Sequence, residues 1–126
     1  EFLTGSVHAL PYALGIAEQH KARLVLLHAL AVPGEIPVAS LEPMEAECLR
    51  ELHQLVPEDA ACKVECEVAF GAPADVILRD AERRRADLIV TGVHPTPHAW
   101  AATHLAWATA HQVIAHAHCP VLTVRG

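Results

Sequence analysis

Histidines around a proline-rich segment are the residues of this chain whose types and spacing could do chemistry. His94 and His98 flank the tripeptide Pro-Thr-Pro, and His104 follows shortly after. Imidazole nitrogens bind Zn²⁺ and Cu²⁺, so one hypothesis is a metal site formed by these three side chains. The spacing fixes no metal geometry, and solvated or singly hydrogen-bonded histidines are the simpler interpretation. We therefore predict no metal site and keep metal binding as an alternative.

Catalysis by a nucleophilic side chain is not predicted. Cys119 precedes a proline, and no Ser or Cys lies in a recognisable turn beside a base and an orienting acid. The other cysteines, Cys48, Cys62 and Cys66, lack the paired short spacing of a zinc site. We expect all four to be reduced and mostly buried thiols, and we expect the protein not to be an enzyme.

The composition indicates one domain over residues 1–126. The chain is long enough to bury a core without disulfides, and 52% of its residues are hydrophobic. A formal charge of -6 and an aromatic content of 4% argue against nucleic-acid binding. No apolar run approaches the roughly 18 residues of a membrane span, and the first residues lack the organisation of a signal peptide. We expect a cytoplasmic protein with no membrane partner.

Strand-like runs alternate with amphipathic segments along the chain. The run Ala86–Gly92 is apolar, ends in Gly and follows helix-like sequence, as a buried parallel strand does. Ligands of open α/β sheets bind beyond the carboxyl ends of such strands, so the loop after Gly92 is the predicted ligand site. The pattern predicts helices over about residues 4–20, 40–56, 73–85 and 99–117, and strands over 23–30, 64–70, 86–92 and 121–124. This alternation predicts a doubly wound parallel α/β sandwich.

Apolar spacing predicts which residues face the core. One inward stripe is expected on each of the last three helices: Met44, Cys48 and Leu52; Val76, Ile77 and Ala81; Ala110, Val113 and Ile114. Glu65 and Glu67 alternate with apolar residues, which predicts a strand with one solvent-exposed face at a sheet edge.

Three segments, in this order, resemble the universal stress protein family: Gly71–Leu78, Ala86–Gly92 and Val113–Arg125. The opening stretch from Ala9–Ala13 through Leu24–His28 also resembles the family's first helix and second strand, so the resemblance covers nearly the whole chain. It implies a five-stranded parallel sheet of order 3-2-1-4-5, whose central first strand would lie upstream of Glu1. We therefore expect residues 1–126 to be an N-terminally incomplete domain or one half of a tandem pair.

Nucleotide-binding members of this family hold phosphates on a loop with the pattern Gly, two residues, Gly, nine residues, Gly, then Ser or Thr. The glycines let backbone N–H groups approach the phosphates closely. Gly92 matches the first glycine, whereas Pro95 takes the second position and has no N–H. The last pair falls on Trp107 and Ala108 after two extra residues, and Ala108 has no hydroxyl. We do not expect conventional ATP binding.

Two functions from different classes remain open. In the first, which the resemblance implies, the domain takes part in the stress response by association. It forms a homodimer or a tandem-domain pseudo-dimer without a cofactor, through the last strand residues Val121, Leu122, Thr123 and Val124. In the second, it is a sensor of an adenine nucleotide such as ATP or AMP, or of another small molecule. The ligand-binding residues would then be Glu1, Ala29, Thr91, Gly92 and His94.

Overall fold

A computed structural model describes residues 4–30, 37–93 and 100–125 of the chain. Helices and strands alternate along these residues in the predicted order. They are α1 (Thr4–Gln19), β1 (Leu24–Leu30), α2 (Leu41–Leu55), β2 (Val64–Phe70), α3 (Pro73–Arg84), β3 (Ile89–Val93), α4 (Trp100–His116) and β4 (Val121–Arg125), with a short 3-10 helix at Val38–Ser40. The predicted fold class is confirmed.

The described strands form two parallel pairs. β1 lies beside β2 with Leu24 opposite Val64, and β3 lies beside β4 with Ile89 opposite Val121. The first strand of the family order 3-2-1-4-5 is the predicted upstream strand, so the family's strands 2, 3, 4 and 5 correspond to β1, β2, β3 and β4 here. The pairs β1–β2 and β3–β4 are therefore the expected neighbours. Within the described ranges, no strand pairs with both β1 and β3, so an additional strand upstream stays a prediction.

One compact unit comprises residues 14–76 and contains β1, α2 and β2. The predicted inward stripe of α2 is confirmed, since Leu52 is buried and both Met44 and Cys48 are half-buried. The predicted solvent-exposed face of β2 is wrong, because Glu65 and Glu67 are half-buried like the rest of the strand. The long aliphatic stem of a glutamate can cover a sheet surface while its carboxylate remains near water.

The other unit contains β3, α4 and β4, and α4 packs on both strands. Ala110 and Val113 of α4 are buried, as predicted, but Ile114 is 54% exposed, so its prediction as a core residue is wrong. Successive helix residues are about 100° apart around the axis. Ile114 therefore lies on one flank of α4, beside the buried stripe and outside it.

The predicted inward stripe of α3 is confirmed by the same standard, since Val76 is buried and both Ile77 and Ala81 are half-buried. The polar residue Asp80 is more buried than either of them, at 8% exposure. A carboxylate at that depth needs compensating partners, and Arg83 and Arg84 on the same helix supply them.

Gly71 allows the turn between β2 and α3. Its φ is +143°, a backbone conformation that side chains other than glycine rarely adopt. The Gly71 N–H donates to the carbonyl of Leu30 at 2.9 Å, which joins the turn to the end of β1. A Cβ atom on Gly71 would lie 3.1 Å from Cγ2 of the buried Val76. The position therefore requires glycine for both its conformation and its space.

Gly71→Ala is expected to lower the free energy of unfolding by about 1–3 kcal/mol, the usual cost of a strained backbone conformation. Urea denaturation followed by circular dichroism measures this change. The matched control is Gly15→Ala in α1, where the residue is exposed and an added Cβ meets no atom within 4 Å. Helix propensity predicts that this control stabilises by about 0.5–1 kcal/mol. Equal midpoints for Gly71→Ala and wild type would contradict the prediction.

Candidate functional site

The carboxyl end of β3 is the first part of the predicted ligand site. Thr91 and Gly92 are half-buried in β3, opposite Thr123 and Val124 of β4. The ladder begins with the Ile89 N–H, which donates to the carbonyl of Pro120 at 3.0 Å. The strand that precedes the predicted ligand loop is therefore well formed.

The other predicted ligand residues lie at the end of β1 or outside the described residues. Ala29 lies at the carboxyl end of β1, half-buried and opposite Ala69 of β2. Glu1, His94 and Pro95 lie outside the described residues. The structure thus places Ala29, Thr91 and Gly92 at carboxyl ends of parallel strands, and their role in ligand binding stays a prediction.

The positions that should contact phosphate fall inside a helix. Trp107 and Ala108 both lie in α4, which begins at Trp100. Interior helix N–H groups donate to the carbonyl four residues earlier in the chain. The backbone at Trp107 and Ala108 is therefore helical, not the glycine-rich loop of the family pattern.

The side chains of the three predicted metal ligands are not among those that the structure describes. His94 and His98 lie outside the described residues, as does the side chain of His104. Among the residues that are described, no group of three His, Cys, Asp or Glu side chains could hold a metal ion. Near the end of α4, the exposed His116 donates from Nδ1 to the carbonyl of Gln112 at 3.0 Å. Metal binding stays an untested alternative.

The four cysteines are free thiols, as predicted, and all of them are half-buried. Burial raises the pKa of the Cys48 thiol, and the carboxylates of Glu51 and Glu47 raise it further. Burial also raises the pKa of Cys66. A thiol with a raised pKa remains protonated at neutral pH and is a weak nucleophile. Cys48 and Cys66 therefore have properties opposite to those of a catalytic cysteine.

His28 on β1 is the other titratable group whose environment changes its pKa. Burial lowers the pKa of the His28 imidazole, and the carboxylate of Glu51 on α2 partly opposes that effect. The neutral imidazole is therefore favoured in the folded protein. The folding stability of the unit formed by β1, α2 and β2 is therefore expected to depend on pH.

The stability of the protein is expected to fall as the pH falls below about 6.5, the ordinary pKa of histidine. Between the lowered pKa of His28 in the folded state and this value, the unfolded chain binds more protons than the folded chain. The stability that His28 contributes is thus complete above that window and is lost within it. Urea midpoints on either side of the window measure the effect.

His28→Gln should make the urea midpoint less dependent on pH than in wild type. His118→Gln is the matched control, since His118 is exposed and lies far along the chain, after α4. An unchanged pH dependence in His28→Gln would exclude His28 as the titrating group.

A polar cluster on α3 was not predicted from the sequence. The carboxylate of Asp80 accepts hydrogen bonds from Arg84 Nε, at 3.1 Å to Oδ2 and 3.3 Å to Oδ1, and it also pairs with Arg83. Arg84 is largely covered, whereas the side chain of Arg83 is 61% exposed. The spacing of three and four residues is the signal that could have predicted these pairs. The cluster neutralises a buried carboxylate within one helix.

Comparison with known proteins agrees with the resemblance. The family model described as "Universal stress protein family" matches residues 2–125. The chain belongs to the universal stress protein family. Universal stress protein MJ0531 of Methanocaldococcus jannaschii is 30% identical over 129 residues, which cover 95% of this chain and 75% of that protein.

Solved structures share the fold of this universal stress protein. The universal stress protein UspA from Lactobacillus plantarum matches with a TM-score of 0.68 and 27% identity, covering 93% of this chain and 87% of that one. A universal stress protein crystallised in complex with cAMP matches with a TM-score of 0.65 and 25% identity, covering 96% and 87% of the two chains. Within the described ranges, no helix is both long and apolar enough to cross a membrane.

Proposed function

We propose that this universal stress protein acts in the stress response as a non-enzymatic association module, whose chains pair through the outer edge of β4. The observation that carries the proposal is the pairing of β4. Among the described strands it bonds only to β3, which leaves its other edge available to a second chain. Such an edge is a template for strand addition.

The register of the ladder identifies the groups at that edge. Because Ile89 donates to Pro120, alternate residues of β4 direct their backbone groups toward β3. By this alternation, the N–H and C=O of Thr123 point away from β3. Thr123 is exposed and the neighbouring Leu122 is 37% exposed. An antiparallel pair of β4 strands would satisfy the Thr123 groups and bury the Leu122 side chain.

The edge also lacks the features that usually prevent strand pairing. Charged side chains, prolines and bulges are common devices that protect exposed edges. None of the residues Val121, Leu122, Thr123 and Val124 is charged or proline, and the first charge follows at Arg125. This composition therefore favours pairing of the exposed edge with a second chain.

Two observations argue against phosphate binding at the family's usual position. Pro95 has no N–H to offer. Trp107 and Ala108 lie inside α4, where helical hydrogen bonds already use the backbone N–H groups. A triphosphate would therefore lose the donors that the glycine pattern supplies. The proposal accordingly assigns no resident nucleotide.

Thr123→Pro is expected to reduce the mass of the assembly measured by light scattering after size-exclusion chromatography. Proline removes the outward N–H of Thr123 and leaves the donors that face β3 in place. Thr123→Val is the matched control, because it keeps the N–H and the exposed position, and it should retain the mass of the wild type. Glu67→Lys on β2 should also retain it. A wild-type protein that is monomeric, or a Thr123→Pro variant with unchanged mass, would overturn the proposal.

Adenine-nucleotide binding at the carboxyl end of β3, near Thr91 and Gly92, is the second candidate function. The observation that favours it is the similarity to the universal stress protein solved with cAMP. A nucleoside monophosphate needs fewer phosphate donors than ATP does. The base and ribose require only apolar walls and a few polar groups.

Thermal unfolding with and without cAMP, AMP, ATP and Zn²⁺ separates the two candidates. A ligand at 100 times its dissociation constant stabilises the folded state by about 2.7 kcal/mol, which raises the unfolding midpoint by several degrees. Under the association proposal, we expect no rise with millimolar nucleotide. A rise with cAMP or AMP alone would favour the sensor, and a rise with Zn²⁺ alone would favour a histidine metal site.

A further inference from the structure

The outer edge of β2 carries backbone groups that the pairing with β1 does not use. At one end of this ladder the Leu24 N–H donates to the carbonyl of Lys63 at 2.9 Å, and at the other end the Gly71 N–H donates to the carbonyl of Leu30 at 2.9 Å. The direction of backbone groups alternates from residue to residue along a strand. Odd-numbered residues of β2 therefore direct their N–H and C=O groups toward β1, and even-numbered residues direct theirs away from it.

Four residues of β2 have backbone groups that point away from β1: Val64, Cys66, Val68 and Phe70. Within the described ranges, β2 pairs only with β1, and no backbone hydrogen bond from a described loop or turn reaches these four residues. A row of such N–H and C=O groups is a template for an added strand. β2 has seven residues and β4 has five, so the edge of β2 is the longer template of the two.

Acidic and apolar side chains alternate along this edge. Glu65 and Glu67 lie on one face of β2, and Val64, Cys66 and Val68 lie on the other. In an antiparallel pair, residues whose backbone groups point away from the partner strand occupy the non-hydrogen-bonded positions, where side chains opposite each other are closest. Both glutamates occupy such positions, so their charge decides which side chains an added strand can place opposite them.

The glutamates make a second copy of this chain a poor partner for the edge. The antiparallel registers that pair most of β2 with itself are centred on Cys66 or on Glu67, and each places Glu67 opposite a glutamate of the other copy. Like charges directly opposite each other destabilise a strand pair. The β4 edge of another copy fits no better, because Leu122 and Val124 would desolvate the carboxylates without pairing them.

We propose that the outer edge of β2 binds, by strand addition, an extended segment of a different protein in which basic residues alternate with apolar ones. Lysine or arginine opposite Glu65 and Glu67 converts the repulsion into attraction. An ionised carboxylate has about four acceptor sites, so it can bind a partner's cation in addition to a group of its own chain. The formal charge of -6 also attracts a basic segment.

This contact is separate from the proposed pairing of β4. The two edges belong to different ladders, since β2 pairs with β1 and β4 pairs with β3. Thr123→Pro, which is designed to disrupt the β4 contact, should therefore leave binding at β2 unchanged. The β2 contact can be measured whether the protein is a monomer or a dimer.

Fluorescence anisotropy with short peptides tests the proposal, at an ionic strength of about 0.15 M to screen attraction between distant charges. The probe is the peptide Thr-Val-Lys-Val-Lys-Val-Thr with fluorescein at one end, and the matched probe has Glu in place of both Lys. We expect the Lys probe to bind at least tenfold more tightly, because charges at two cross-strand positions change sign. A third probe is the Lys peptide N-methylated at its central Val. It lacks an N–H that the edge would bind, and it should bind about tenfold more weakly than the Lys probe.

The variant Glu65→Gln/Glu67→Gln should bind the Lys probe about tenfold more weakly than wild type does. Glutamine has nearly the same size as glutamate and no charge, so the variant should fold, and an unchanged circular dichroism spectrum checks this. The matched control Glu42→Gln/Glu47→Gln removes the same charge from exposed positions of α2, and it should bind the Lys probe as wild type does.

The β2 proposal is overturned if the Lys probe does not bind, if the Lys and Glu probes bind equally, or if Glu65→Gln/Glu67→Gln and its control have the same affinity. Equal binding of the N-methylated and Lys probes would also overturn it, because charge attraction and not strand addition would then hold the peptide. A wild-type protein that is monomeric and still discriminates among the probes would support the β2 contact and overturn the β4 proposal.

Discussion

The parallel ladder between β3 and β4 is the interaction on which the functional part of this molecule depends. It fixes the end of β3, and with it Thr91 and Gly92, where the family pattern begins its ligand loop. The same ladder determines which backbone groups of β4 are already used and which face outward. It also supplies the surface on which α4 packs with Ala110 and Val113. The predicted ligand site and the proposed strand edge thus both depend on one strand pairing.

Charge is distributed unevenly along the described part of the chain. The one buried carboxylate in the described residues, Asp80, is neutralised by Arg83 and Arg84 on its own helix. From Leu88 to Val124 no charged residue is present at all. A surface without charge attracts ionic ligands less strongly than a charged one does.

Membership of the universal stress protein family establishes the fold and leaves the ligand open, because a fold can host different sites. The decisive differences are local. A proline replaces a glycine at Pro95, and a helix covers the positions of Trp107 and Ala108. The proposal that phosphate contacts are lost rests on these two differences from the family pattern.

The sequence by itself determined the element order, the strand limits to within a few residues and the family. These features depend on local periodicity, on turn residues such as Gly71 and Pro73, and on motifs that are contiguous in the chain. The sequence also indicated which residues follow the family's phosphate pattern and which, such as Pro95, do not.

Only the tertiary structure decided the burial of individual side chains. The helical period places Ile114 next to the inward stripe, but the width of the surface that α4 covers leaves it exposed. Glu65 and Glu67 alternate as exposed residues should, yet packing around β2 half-buries them. Asp80 is buried although it is a carboxylate, and Gly71 is required because Val76 occupies the space beside it. Burial depends on how distant segments pack together, and local periodicity contains no information about that packing.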